Sequence, residues 1–198
     1  MSVSLKTLQR VYEFRWHGRA GQGAKTAATL WALAALDKGY YFQAFPEYGA
    51  EREGAPVQAF TRISEKPILV HAPVEEPDYV IVLDDSLLGP IDVVAGLDPQ
   101  DGVLLINTTR GADEIREKLG GYSGKLYLVD ATGIALETVK RNVPNVPLTG
   151  ALSKISGLFS LEDIEKVVRE KLGKKLSQEV VEANIEALRR GYEEFVEG

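Results

Sequence analysis

The chain has 198 residues, of which 44% are hydrophobic, and its formal net charge is −6 at pH 7. This length predicts one α/β domain that can bury a substantial core, and the acidic balance argues against a nucleic-acid-binding surface. The chain contains no cysteine and two histidines, which excludes disulfides, thiolate ligation of iron–sulfur clusters, a cysteine nucleophile and a histidine-based metal site in this chain.

The predicted elements start with a strand, a glycine-rich loop and a helix in immediate succession. Residues 11–17 alternate as in a half-buried strand, and the apolar run from Gln22 to Lys38 predicts a helix buried on several sides, with Trp31 in the core. Tyr41 to Phe45 predicts a second strand that ends at Pro46. Further strands are predicted at 57–63, 67–70 (a short antiparallel return), 79–83, 102–107 and 125–130, an amphipathic segment at 86–97, and helices at 112–119, 134–141 and 148–155.

The closing residues predict two more helices. Ser160 is suited to cap the first, which stops at Gly173, and Ser177 opens the second. Alternation of strands and helices is typical of a largely parallel sheet. We therefore predict a Rossmann-like, mostly parallel sheet flanked by helices over residues 1–157, followed at 158–198 by a helical hairpin that packs on this domain or on a partner. No run approaches the roughly 20 apolar residues that span a bilayer, and no signal peptide is evident, so we expect a cytoplasmic chain without membrane contact.

The loop at 18–23 is the first candidate site. Gly18, Gly21 and Gly23 permit positive φ and close approach of a ligand, the start of the helix favours negative charge, and Arg19 adds a forked cation. The spacing fails the dinucleotide fingerprint, which requires G-x-G-x-x-G. It also departs from the P-loop, because the residue inserted before Lys25 rotates that lysine by about 100°. An autonomous P-loop-like nucleotide-binding protein stays open as the alternative function, and a tight turn whose glycines only permit packing stays open as the structural one.

A second candidate loop follows the strand at 41–45. It carries Glu47, Tyr48, Glu51 and Arg52 and lies where a strand's carboxyl end should be, which is where ligands bind in open α/β sheets. The alternative is a solvated loop with weak internal ion pairs.

Other polar residues have structural interpretations that we favour. Asp84 and Asp85 end a strand and suit the cap of the next helix better than a magnesium site. His17 flanks the glycine loop and is expected to be a structural histidine. No nucleophile, base and orienting group can be brought together from the sequence, so we nominate no catalytic residue and no metal ligand.

Several long blocks resemble one family, the gamma subunit of 2-oxoacid:ferredoxin oxidoreductases. The second block is long and unusual in composition, so it is more specific than the glycine loop, and the resemblance spans nearly the whole chain. The blocks are residues 18–24, 43–57, 60–63, 130–135 and 145–152, together with Asn184, Ala187, Gly191 and Tyr192 near the end.

The resemblance implies a non-catalytic subunit of an enzyme that oxidatively decarboxylates pyruvate or a branched-chain 2-oxoacid, transfers the acyl group to coenzyme A and passes electrons to ferredoxin. It implies alpha, beta and delta partner chains that hold thiamine diphosphate, magnesium and the iron–sulfur clusters, with no cofactor bound by this chain alone. The glycine loop (Gly18, Arg19, Gly21, Gln22 and Gly23) would contact the anionic part of coenzyme A or the partner surface over it. Glu47, Tyr48, Glu51 and Arg52 would lie at an interface near the active centre. A scaffold that binds no ligand is the third possibility.

Overall fold

The computed structural model describes residues 11–47 and 54–198, and these form a seven-stranded sheet with helices on both faces. The strands are β1 (Tyr12–Arg19), β2 (Tyr41–Pro46), β3 (Pro56–Ser64), β4 (Tyr79–Val82), β5 (Val103–Asn107), β6 (Lys125–Val129) and β7 (Val196–Glu197). The helices are α1 (Ala24–Asp37), α2 (Ala112–Lys118), α3 (Ala131–Thr138), α4 (Asn145–Ser156), α5 (Leu161–Leu172) and α6 (Gln178–Glu194).

The sheet order is β2-β3-β1-β4-β5-β6-β7, and its centre is parallel. β1, β4, β5 and β6 run in one direction, whereas β3 is antiparallel to both β1 and β2, and β7 is antiparallel to β6. The mostly parallel α/β sheet predicted from the sequence is confirmed. None of the described helices is long and apolar enough to cross a membrane.

Two apolar clusters cover the two faces of the sheet. On one face, α1 packs against β1, β2 and β3, and its buried Trp31 contacts Phe14 and Phe159 edge-on, as expected of a core tryptophan. Helices α4, α5 and α6 extend this cluster, because α6 packs along α4 and α5 packs against both α6 and α1. On the other face, α2 and the segment 87–97 cover β4, β5 and β6.

Two predicted elements differ in the structure. Residues 67–70 form no strand: Gln43 donates to the carbonyl of Ile68 in place of a neighbouring strand, and Arg62 donates to the carbonyls of Ala72 and Pro73 just beyond the segment. The expected amphipathic segment at 86–97 contains only a three-residue 3-10 helix (Asp85–Leu87) followed by turns, since Gly89 and Gly96 adopt positive φ.

Two helices begin earlier than predicted, and one strand was missed. α3 begins at Ala131, because the side chain of Asp130 accepts a hydrogen bond from the Gly133 amide and caps the helix at once. α4 begins at Asn145, three residues before the predicted start, with Pro147 in its first turn, where a missing N–H costs nothing. The short β7 follows α6 directly and pairs Val196 with Leu128 of β6.

Candidate functional site

The candidate site lies at the carboxyl edge of the parallel strands, where the chain direction switches. The chain leaves β1 through α1 toward β2, on one side of the sheet, and leaves β4 toward β5, on the other. In open α/β sheets the crevice between two such loops is the usual ligand site. Two concave regions occur there in the described structure, one on each side of the link between Arg19 and Asp84.

The first region, called here the loop cleft, joins the two sequence-predicted loops. It has a volume of about 340 Å³, and Glu47 at the end of β2 lies across it from the glycine loop. The other predicted residues of that second loop, Tyr48, Glu51 and Arg52, lie outside the described residues. The loop cleft is lined by Arg19, Ala20, Gly21, Gly23, Ala24, Lys25, Thr26, Pro46, Glu47, Val57 and Gln58.

The three glycines of the loop are required for different reasons. Gly18 is buried at the end of β1, where an added Cβ would lie 3.3 Å from the Cβ of Leu83. Gly23 has φ 86°, and a Cβ there would lie only 2.6 Å from Nδ2 of Asn145 in α4. Gly21 has φ 99° with open space around it, so only its backbone conformation requires glycine. Packing thus explains two glycines, and the exposed Gly21 is the one that faces open space.

The N-terminus of α1 opens into the loop cleft without a side-chain cap. Gly23 occupies the N-cap position and has no side chain to offer, and the first turn carries no acidic residue. Among the described residues, the amides of Gly21 and Gly23 find no acceptor. Lys25, the second residue of the helix, is exposed and lines the same cleft. Free N–H groups, the helix dipole and this lysine together favour an anion.

The guanidinium of Arg19 is held by neighbouring loops. Its Nε and Nη2 donate to Oγ of Ser86, at 3.0 and 2.8 Å, and its Nη1 donates to the carbonyl of Gly54 at 3.0 Å. Its Nε also lies 3.5 Å from the carboxylate of Asp84. Arg19 therefore ties together the starts of β3 and of the 3-10 helix while contributing one wall of the loop cleft.

Gln22 points away from the loop cleft and toward the end of β4. Its Oε1 accepts a hydrogen bond from the backbone amide of Arg19 at 2.7 Å, and its Nε2 donates to Oδ2 of Asp84 at 2.6 Å. The other carboxylate oxygen of Asp84 accepts from the amide and hydroxyl of Ser86. Burial alone would raise the pKa of Asp84, but the hydrogen bonds from Ser86 and Gln22 and the charge of Arg19 outweigh it and lower that pKa.

The second region, called here the polar cavity, lies beyond Gln22 between the ends of β4, β5 and β6. Its volume is about 240 Å³. Asn107 donates to the Leu83 carbonyl and accepts from the Thr132 amide, and Thr108 donates to Asp85, so these side chains brace the loops against one another. The lining consists of Gln22, Leu83, Asp84, Asp85, Asn107, Thr108, Thr109, Asp130, Thr132 and Asn142.

The aspartates after β4 act as a cap and a brace in the described structure. Asp84 caps the 3-10 helix by accepting a hydrogen bond from the Ser86 amide, as the sequence favoured. The carboxylate of Asp85 accepts hydrogen bonds from the Thr108 hydroxyl and from Nε of Arg110. Within residues 11–47 and 54–198, no group of three or more histidine, cysteine, aspartate or glutamate side chains could hold a metal ion.

His17 lies inside the sheet and has a structural environment. It is 1% exposed, its Nε2 accepts a hydrogen bond from Nε of Arg15 at 3.1 Å, and its Nδ1 has no partner in the described structure. Burial, and after it the positive charge of Arg15, lowers the pKa of His17 to about 3, so the ring is neutral. The guanidinium of Arg15 donates to the carbonyls of Val74, Glu75, Val93 and Ala95.

Sequence reasoning missed residues that shape both regions. Ser86 anchors Arg19, Asn145 packs on Gly23, and Lys25 was considered only as a misplaced P-loop lysine. A signal existed for the polar cavity, since Asn107, Thr108 and Asp130 each follow or end a predicted strand. No local signal could have located Asn145, because it reaches Gly23 from a helix more than 120 residues further along the chain.

Comparison with known proteins identifies the chain at the level of family. A family model described as pyruvate ferredoxin/flavodoxin oxidoreductase matches residues 13–194. The chain is 53% identical over 186 residues to pyruvate synthase subunit PorC of Thermotoga maritima, covering 94% of this chain and 95% of that protein. It is 47% identical over 178 residues to the pyruvate/ketoisovalerate oxidoreductases common subunit gamma of Thermococcus kodakarensis, covering 90% of this chain and 96% of that protein.

A solved structure agrees with both relatives. The crystal structure of pyruvate oxidoreductase subunit PORC from Thermotoga maritima superposes with a TM-score of 0.85 and 49% identity, covering 96% of this chain and 99% of that one. These matches confirm the resemblance seen in the sequence. The chain belongs to the pyruvate ferredoxin/flavodoxin oxidoreductase family, as a gamma subunit of a 2-oxoacid:ferredoxin oxidoreductase.

Proposed function

We propose that this gamma subunit contributes the loop cleft to the coenzyme A site of an enzyme that oxidatively decarboxylates pyruvate or a branched-chain 2-oxoacid and passes the electrons to ferredoxin. The observation that carries the proposal is the uncapped N-terminus of α1, which opens beside Lys25 into a cleft of about 340 Å³. Coenzyme A carries phosphate groups, and helix N-termini with a nearby cation bind phosphate well. The two substrates are supported by the names of the relatives, which specify pyruvate or pyruvate and ketoisovalerate.

The size of the loop cleft fits one part of the ligand. Pockets that enclose a drug-sized ligand are roughly 300–1,000 Å³, so a cleft at the lower end holds a phosphate-bearing portion and leaves the remainder to another chain. In this arrangement Gly21, Gly23 and Lys25 face the anion, and Glu47 on the opposite wall limits how far the negative charge can extend. Arg19 forms part of the wall, and Gly18 permits the close packing of β1 against Leu83 behind it.

The chemistry of the redox step belongs to partner chains in this proposal. The chain has no cysteine, so it supplies no thiolate to an iron–sulfur cluster. We assign thiamine diphosphate, magnesium and the clusters to alpha, beta and delta subunits, with ferredoxin as the electron acceptor. We also propose a role in assembly: Leu69 is 84% exposed and Val70 56%, so these two neighbouring residues present an exposed apolar patch on a segment that Gln43 of β2 holds through the Ile68 carbonyl. Exposed apolar patches mark protein–protein contacts.

The test of the coenzyme A site is the Michaelis constant for coenzyme A of the assembled enzyme. Lys25→Gln should raise the KM for coenzyme A by about fivefold or more and leave the KM for the 2-oxoacid unchanged, because it removes one charge-assisted contact. Lys174→Gln removes a lysine from the turn between α5 and α6 and serves as the matched control. Equal KM values for coenzyme A in the wild type and both variants would refute the proposed site.

A further inference from the structure

We propose that Gln22 is a positioning residue that sets the glycine loop in the conformation that receives coenzyme A, by joining the loop to the end of β4. The inference rests on the proposed function, since it assumes that the loop cleft is the coenzyme A site. The sequence suggested that Gln22, with the rest of the glycine loop, contacts coenzyme A or the partner surface over it. The structure turns its side chain the other way, so that it lines the polar cavity and not the loop cleft.

The amide of Gln22 is matched at both ends. Its carbonyl oxygen faces the Arg19 amide at 2.7 Å, and its NH₂ group faces the Asp84 carboxylate at 2.6 Å. Only a side chain with an acceptor and a donor at this length can satisfy both neighbours. A carboxylate at position 22 could still accept from the Arg19 amide, but it would meet the carboxylate of Asp84 without a proton between them.

The link joins two segments that are 62 residues apart in sequence. Asp84 is itself fixed, because its second oxygen accepts from the amide and the hydroxyl of Ser86. Arg19 approaches the same carboxylate oxygen from the other side, at 3.5 Å. The glycine loop is therefore held against the end of β4 by two side chains that converge on one rigid acceptor.

This link leaves particular backbone amides available to a ligand. Three backbone amides of the loop already have acceptors. The Arg19 amide donates to the side chain of Gln22, the Ala20 amide donates to the Ala55 carbonyl, and the Gln22 amide donates to the Arg19 carbonyl. The amides of Gly21 and Gly23, which have no acceptor among the described residues, remain on the side of the loop cleft. Gln22 thus acts on coenzyme A through the loop backbone and without touching it.

The test exchanges the two ends of the hydrogen bond. Gln22→Glu places two carboxylates together, and Asp84→Asn places two NH₂ groups together, so each single variant breaks the link. The double variant restores it in reverse: the new amide at position 84 donates to the new carboxylate at position 22, which still accepts from the Arg19 amide and still balances the charge of Arg19. Gln100→Glu, on the loop before β5 at the opposite edge of the sheet, controls for the added charge.

In the assembled enzyme each single variant should raise the KM for coenzyme A by about tenfold or more with little change in kcat, and the double variant should return it to within about threefold of the wild type. A double variant no better than the worse single variant would overturn the positioning role. The melting temperature of the same preparations separates the two ways of failing. Rescue seen in the melting temperature, with the KM for coenzyme A unchanged in all three variants, would refute the coenzyme A site and with it the inference. Absence of rescue in both readouts would refute the link alone.

Discussion

His17 should make the stability of this chain depend on pH in a range where few other side chains titrate. The ring is 1% exposed at the end of β1, its Nδ1 is unpartnered in the described structure, and the buried guanidinium of Arg15 lies against its other nitrogen. Among the described residues, no carboxylate forms a hydrogen bond with either ring nitrogen. No negative charge in contact with the ring would therefore offset the positive charge of a protonated His17. Burial first, and the Arg15 charge second, lower the pKa of His17 to about 3.

The sign and size of the effect follow from proton linkage. An unfolded histidine has a pKa of about 6.5, so below that pH the unfolded chain takes up a proton that the folded chain refuses. His17 therefore costs no stability at neutral pH, and the free energy of unfolding falls as the pH falls from about 6.5 toward about 3. Between about pH 7.5 and about pH 5 the loss integrates to about 2 kcal/mol.

The assay is urea unfolding of the purified chain at a series of pH values, with His17→Gln as the test variant. Glutamine keeps an acceptor for Arg15 but does not titrate. As the pH falls over this range, the free energy of unfolding of the wild type should therefore drop by about 2 kcal/mol relative to that of the variant. His71→Gln, at the only other histidine of the chain, lies on an exposed segment and is the matched control for loss of a histidine. A pH dependence that is identical in the wild type and His17→Gln would refute the reasoning.

Three further substitutions test the packing, the patch and a cap. Gly23→Ala should destabilise the chain by about 2–5 kcal/mol, from positive φ and a clash with α4, whereas Gly21→Ala should cost about 1–2 kcal/mol from φ alone; equal costs in urea unfolding would contradict this. Leu69→Asp should weaken binding of the chain to its partner subunits by at least about tenfold in size-exclusion or titration experiments, while Leu176→Asp, also exposed, should not. Ser160→Ala removes the capping box of α5 and should lower the free energy of unfolding by about 1 kcal/mol, and an unchanged value would show that the cap contributes nothing.

Most of the fold could be predicted because its signals are local. Apolar runs such as 79–83 and 102–107 need both of their faces covered, which indicates central parallel strands. Ser160 and Ser177 mark the starts of α5 and α6, because their side chains cap these helices. The failures involve side chains that act over a distance. Residues 67–70 have the composition of a strand, but Gln43 donates to the Ile68 carbonyl, and Arg62 donates to the carbonyls of Ala72 and Pro73 just beyond the segment. Neither contact is visible in the local pattern.

The candidate site divides in the same way. The glycine loop between β1 and α1 and the polar residues after each strand are readable from order and spacing alone. The directions of the Arg19 and Gln22 side chains are not readable, because they depend on β4 lying beside β1 in the sheet. Gln22 and its partner Asp84 are 62 residues apart in the chain. The sequence therefore located the glycine loop, whereas the hydrogen bonds by which Arg19 and Gln22 brace that loop depend on the fold.

The most direct test of the central claim is a native purification of this chain from its own cells, with the eluate assayed for iron and for coenzyme A-dependent oxidation of 2-oxoacids. The account predicts that cysteine-rich chains co-purify, that the eluate contains iron, and that it oxidises pyruvate or a branched-chain 2-oxoacid only when coenzyme A is present. A lone chain that is free of iron and binds ATP with magnesium would contradict the account. It would indicate instead that the loop at 18–26 binds a nucleotide.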